Sequence, residues 1–466
     1  MRDEDPCYLD LVEVGRRIAT RTLSAVEVTQ AMLERIGRLE ARLHGYATLT
    51  PQAALAAAEQ ADRELAQGKV RGPLHGVPLA VKDLFDTQGV VTAAGTTIFR
   101  DRVPARDASV VARLKAAGAV LLGKLQMTEG AFAVHHPAIV PPVNPWSAAH
   151  WTGVSSSGSG VATAAGLCYG SLGSDTLGSI RFPSTMNGVT GLKPTWGRVS
   201  RAGVFPLAET MDHVGPMARS AADAAAMLGA IAGADADDPT AVNAPVPDYL
   251  AALEGGIEGL RVGIDRAFIE AGADADMVRV TESAAAALAG LGASLHAVDF
   301  PSADQIVRDA VLLCAVETAV AHEATFPARA GDYGPVLAGL IELGRKAGGQ
   351  AVAQIHQRRG QFSGRLATLL QEVDVLLLPA MDIAAPTLEY LAARRNDPEV
   401  RHARVRYTAP FDMTGSPCLT LPGGMTAEGL PVGFQLVGRH FDEALLLRAG
   451  HAFQRATDWH RRRPPL

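Results

Sequence analysis

Three consecutive serines, Ser155, Ser156 and Ser157, sit inside the glycine-rich stretch WTGVSSSGSG (151–160), and a second such stretch, SLGSDTLGSI (171–180), carries Ser179. Hydroxyls in glycine-rich turns could belong to a linker, grip a phosphate or attack a carbonyl. A phosphate loop needs GxxxxGK[ST]. Gly191-Leu192-Lys193 is followed by proline, and no GxGxxG follows a strand-like run. Metal chemistry finds little support. His135-His136 is the only adjacent histidine pair, His322-Glu323 lacks the second histidine of HExxH, and the four cysteines form no CxxC. Serine attack needs a base, and no GxSxG elbow surrounds the serine run or Ser179. A lysine can replace the usual histidine if burial keeps it neutral. Lysine is scarce here, with six in all: Lys69, Lys82, Lys115, Lys124, Lys193 and Lys346. Lys82 directly follows the apolar run GVPLAV, at a strand end, where sites form in open α/β sheets. On residue type alone, a surface lysine beside Asp83 stays open as the plainer reading.

The elements that must position these residues alternate in type. Ser24 followed by Glu27 is a capping box before an apolar-periodic run, and Pro51 opens a second helix closed by Gly68. VPLAV reads as a strand, and 109–127 as a helix, a glycine turn and the strand AVLLG. Residues 131–160 read as loop, 161–170 as a short helix and 171–200 as loop-rich chain with five glycines. Long irregular chain inside a compact protein usually carries function. A helix over 220–233, a connector over 234–256, a strand in GLRVGI (259–264) and helices to about 371 follow. Then come a buried strand in VDVLLLPA (373–380), a Pro-rich charged loop (385–408), a strand pair (416–424 and 430–438) and a helix (444–456). This alternation predicts an α/β fold with a large mixed β-sheet covered by helices. No repeat or linker divides the chain, so 1–466 is expected as a single domain, with helices over about 265–370 forming a lobe above the site.

Composition bounds the partners. The 466 residues are 48% hydrophobic and 20% charged, with a net charge of −6. No basic tail or aromatic-basic stripe is present, so a nucleic-acid partner is not expected. The acidic start lacks the apolar core of a signal peptide, and no apolar run approaches the ~20 residues of a membrane span. A reducing cytoplasmic setting, away from membranes, is the expectation.

Taken together, GVPLAVKD (76–83), GVSSSGSGVATAAG (153–166) and GSDTLGSIRFPSTMNGVTGLKPT (173–195) resemble the amidase signature family, serine amidases with a Ser–cisSer–Lys triad. FDMTGSPCLTLPGG (411–424) and the segment 429–460 resemble that family's closing segments, so the likeness spans nearly the whole chain. The resemblance implies that fold, with helices on both sheet faces. It implies Ser179 as nucleophile, Ser155 as the bridging serine after a cis peptide bond, and Lys82 as base. It further implies an oxyanion hole from the backbone N–H groups of Thr176, Leu177, Gly178 and Ser179, with no metal or cofactor. Asp175 and Arg181 are expected to pair and fix the turn. The implied reaction is hydrolysis of a small-molecule amide to an acid and an amine or ammonia. A homodimer is also implied.

The sequence departs from the family at two points. Leu177 stands where a glycine often precedes the nucleophile turn, and Val154 where a second glycine usually precedes the serine run. Segment 127–142 lacks the NMDEFAMGS-type run of the glutaminyl-tRNA amidotransferase A subunit, so a stand-alone amidase is expected instead. Hydrolysis of a carbamate, a urea derivative or an ester is the alternative within the family. An inactive binding scaffold is disfavoured by the intact Lys82, Ser155 and Ser179. Segments 127–146, 310–362 and 381–410 are the variable pieces expected to shape the substrate pocket. Within them His135, His136, Glu317, His356 and Asp382 read as structural or solvent-facing.

Overall fold

The computed structural model describes residues 5–394 and 397–466. Eleven strands form one mixed sheet: β1 (Tyr46–Leu49), β2 (Pro78–Lys82), β3 (Val120–Leu125), β4 (Gly170–Asp175), β5 (Thr190–Lys193), β6 (His213–Ala218), β7 (Arg261–Ile264), β8 (Ser294–Ala297), β9 (Val375–Pro379), β10 (Cys418–Met425) and β11 (Pro431–Gly438). Their order is β1-β3-β2-β4-β6-β5-β10-β11-β9-β7-β8. β2 runs parallel to β3 and β4, and β7 parallel to β8 and β9; the other pairings are antiparallel. Every residue of β2, β4, β6, β9 and β11 is buried. Strands buried at successive positions are covered on both faces, here by helices.

The local signals act as read. Ser24 and Glu27 form a reciprocal capping box on the helix Ala25–Leu43, and Pro51 opens the helix Pro51–Ala66. β10 and β11 pair as antiparallel neighbours.

Segment 171–200 corrects the loop-rich expectation. It contains most of β4, the helix Arg181–Asn187 and β5. β4 is Gly-Ser-Leu-Gly-Ser-Asp, without the β-branched residues that usually mark a strand. Its small residues answer a packing constraint instead. A Cβ at Gly173 would lie 2.9 Å from Ser156 Oγ and 3.1 Å from Met217 Sδ, so nothing larger fits. The helix read at 161–170 is Ser157–Ala164, so the third serine lies in its first turn. The loop read at 385–408 holds two short helices, Leu388–Ala393 and Pro398–Val405, capped by Thr387 and Asp397; residues 395–396 lie outside the described residues.

Helices Asp304–Ala321, Pro335–Arg345 and Gly349–Glu372 pack together beside the helix Ala409–Thr414. They reach the chain before β6, where Glu317 accepts from Thr210 N–H (2.8 Å) and Oγ1 (2.6 Å).

Candidate active site

The site lies at one end of the central strands. Ala80 and Val81 of β2 are in register with Ser171 and Leu172 of β4, so Lys82 ends its strand near Ser174. Lys82 Nζ lies 2.7 Å from Ser155 Oγ and 2.8 Å from Ser174 Oγ. The side chain has no solvent exposure. Burial pushes its ammonium down to about 7, against the pull of Asp175 and Asp212. Near neutral pH a large share of such an amine carries a free lone pair. Lys124 and Lys193 are also fully buried, but each is spent on carbonyls. Lys124 additionally bonds Thr92 Oγ1 at 2.6 Å and lies 3.4 Å from Asp83.

Backbone contacts hold Ser155 in place. The Val154–Ser155 peptide bond is cis, and Ser155 C=O accepts from Thr128 N–H at 3.2 Å. The preceding Gly153 has φ +71°, and a Cβ there would lie 2.5 Å from Pro183 N. The chain therefore lies tight against the helix Arg181–Asn187. The next serine joins this turn to the end of β4 and the Ser179 turn: Ser156 N–H donates to Ser179 C=O (3.3 Å), and Ser156 Oγ bonds both Ser174 N–H and Ser174 C=O. Ser179 itself is half-buried, and among the described residues its hydroxyl has no hydrogen-bond partner within the chain.

The turn carrying Ser179 is wound around Asp175. That carboxylate accepts N–H groups from Gly178 (2.7 Å), Ile180 (2.9 Å) and Arg181 (3.3 Å). It also pairs with the Arg181 guanidinium at 2.9 Å. Arg181 in turn reaches Asp412 (2.6 Å) and Thr408 C=O (3.0 Å) on the C-terminal side of the chain. Asp175, Arg181 and Asp412 have no solvent exposure. Burial alone would raise Asp175, yet Arg181 holds it well below the usual carboxylate range, whereas burial leaves Asp412 raised. Asp175 and Arg181 thus form the pair expected of them. Gly178 differs from expectation: its N–H is committed to Asp175, which takes none from Thr176, Leu177 or Ser179. Leu177 is fixed from its carbonyl side, where Thr408 Oγ1 donates at 2.6 Å.

Two polar residues at this site had no role in the sequence reading. Ser174 is the second hydroxyl on Lys82; only its place beside Asp175 in the quoted motif could have flagged it. Asp212 accepts from Thr176 Oγ1 at 2.6 Å and from the N–H groups of Leu207 and Ala208. Nothing in its local sequence signals that contact across 36 residues.

The remaining candidates have plainer roles. His135 Nε2 meets Ser157 Oγ at 2.9 Å, and burial pushes its imidazole down to about 4. His136 Nδ1 accepts from Ala138 N–H, His356 is exposed, and Asp382 pairs with Arg404 at 3.2 Å. Among the described residues, no group of His, Cys, Asp or Glu is placed to hold a metal ion, and no helix is long and apolar enough to cross a membrane.

The chain matches the family model described as Amidase over residues 27–447. It is 50% identical to the Mycobacterium tuberculosis protein AmiD, whose name assigns it to the amidases, over 100% of this chain and 98% of the relative. It is 36% identical to the A-type component of the glutamyl-tRNA(Gln) amidotransferase of Geobacter sp. strain M21, over 98% of this chain and 99% of the relative. Among solved structures it resembles the peptide amidase of Stenotrophomonas maltophilia with a TM-score of 0.83, at 31% identity, covering 98% of each chain.

Proposed function

The chain belongs to the amidase signature family and is an amide hydrolase, and on that premise we propose that it cleaves a small carboxylic amide through an acyl-enzyme on Ser179. The observation that carries this reading is Lys82, buried, held near neutrality and 2.7 Å from Ser155 Oγ. Lys82 takes the proton of Ser155, and Ser155 takes that of Ser179 as its oxygen attacks the amide carbon. The N–H groups of Thr176, Leu177 and Ser179 receive the oxyanion, while Gly178 shapes the turn through Asp175. One such donor contributes on the order of 10²–10³ in rate. The C–N bond then breaks, with the relayed proton delivered to the leaving nitrogen. Water attacks the acyl-enzyme through the same relay and releases the acid.

Two facts support a stand-alone hydrolase over an amidotransferase component. The 50% identity to an amidase-named protein exceeds the 36% to the amidotransferase relative. The segment 127–142 also departs from the amidotransferase pattern. The solved relative from Stenotrophomonas maltophilia is named a peptide amidase; here a linear, non-peptide amide is proposed.

A fluorophosphonate adduct mapped by mass spectrometry is expected on Ser179. Lys82→Ala is expected to abolish turnover of an amide panel while leaving the circular dichroism spectrum unchanged. An adduct on Ser155, or wild-type rates in Lys82→Ala, would overturn the assignment.

A further inference from the structure

Asp212 sits where two parts of the site meet. Its carboxylate holds the Thr176 hydroxyl at 2.6 Å, at the start of the turn that carries Ser179. It also borders a narrow cavity with Ser174 and His213, and Ser174 is the second partner of Lys82. Two carboxylates act on Lys82: Asp175 and Asp212. Asp175 is neutralised by Arg181 at 2.9 Å. Asp212 has no ion-pair partner within 4.0 Å among the described residues; its hydrogen bonds come from neutral groups, the Thr176 hydroxyl and the amides of Leu207 and Ala208.

We propose that Asp212 is a positioning residue that serves both halves of the reaction, fixing Thr176 in the oxyanion turn and holding a negative charge beside the Ser174 end of the Lys82 relay. This rests on the reading of Lys82 as the base. The other groups around the pair are accounted for. Burial raises the Asp212 carboxyl to about 6, so it carries its charge above that pH; Arg201 acts on it at longer range and lies 3.3 Å from Glu209. On the helix packed above, the Cys314 thiol is pushed up by burial, and Glu317 is engaged by Thr210. His213, next in sequence, is held neutral by burial and by Lys193.

The test is the pH profile of kcat/KM for Asp212→Asn and for the smaller Asp212→Ser. Asparagine can still accept from Thr176 through its Oδ1, whereas serine removes both the charge and the reach. Removing the charge makes the ammonium form of Lys82 less favourable, so the acid limb is expected to move to lower pH by on the order of one unit. Asp212→Glu, which keeps the charge, is expected to leave the limb in place. Thr176→Val, which removes only the hydrogen bond, is expected to lower kcat without moving the limb. A limb unmoved in both neutral variants, or moved equally by Asp212→Glu or Thr176→Val, would overturn the coupling. If Lys82→Ala is inactive in the same assays, that failure is confined to Asp212; undiminished turnover in Lys82→Ala would instead remove the base itself.

Discussion

Asp175→Asn is the most informative single change in the turn. The carboxylate satisfies three backbone N–H groups and the Arg181 guanidinium with no access to water. Asparagine keeps one acceptor and turns an NH₂ toward N–H groups that also donate. Breaking a buried pair by removing one partner costs about 3–5 kcal/mol. Arg181 keeps Asp412 at 2.6 Å, which favours the lower end. Each buried N–H left without an acceptor adds about 1–3 kcal/mol. These losses share one carboxylate and do not add, so about 3–5 kcal/mol is expected for the whole change. Urea denaturation would read it as a lower midpoint at unchanged slope. Because the turn also aims the oxyanion amides, kcat is expected to fall by about 10²–10³, the effect of losing one such donor. A stability loss under about 1 kcal/mol together with wild-type kcat would refute the reasoning. It would show that Asp412 and the helix Arg181–Asn187 hold the turn without Asp175.

Four further outcomes follow from the geometry. Since Lys82 must be neutral to act and is depressed to about 7, kcat/KM is expected to rise with pH through that value. The same depression means that an unfolded Lys82 binds a proton that the folded one releases between about 7 and 10.5, so the unfolding free energy of the wild type relative to Lys82→Ala should rise with pH across that window; a falling difference would contradict the burial of Lys82. Gly344→Ala would place a Cβ 1.9 Å from Ala315 C=O between two packed helices, and overpacking of this kind costs ~1–3 kcal/mol or more, readable as a lower Tm. Leu177→Gly removes a half-buried side chain beside Ser179, and kcat/KM for amides with bulkier acyl groups is expected to rise relative to small ones by ~10-fold or more, checked by competition between two substrates.

The helices with caps and the apolar strands were legible because their signals are local: Ser24 with Glu27, Pro51, VPLAV and VLLLP. β4 was not, because its residues answer to Ser156 and Met217 across the sheet rather than to their own propensity. β8 was missed for a different reason: it is a four-residue edge strand with every residue exposed, and so lacks an apolar pattern. At the site, Lys82, Ser155 and Ser179 were found through motifs that lie close to them in sequence. Ser174, Asp212 and Asp412 were not. Their partners lie 92, 36 and 231 residues away, and a polar residue with a distant partner looks from its own neighbourhood like any solvated one.

The contacts from Arg181 to Asp412 and from Thr408 to Leu177 each close over 231 residues. Lys82, Ser155 and Ser179 leave the ribosome long before the residues that brace their turn. At ~5–20 residues per second, the interval between Ser179 and Asp412 is on the order of ten seconds to most of a minute. During that time a nascent chain has its serines and lysine but no braced turn to aim them. The braces of the turn therefore come last in synthesis, and a chain that ends before residue 408 has neither of them; hydrolysis is expected only once the last eighth of the chain has folded back.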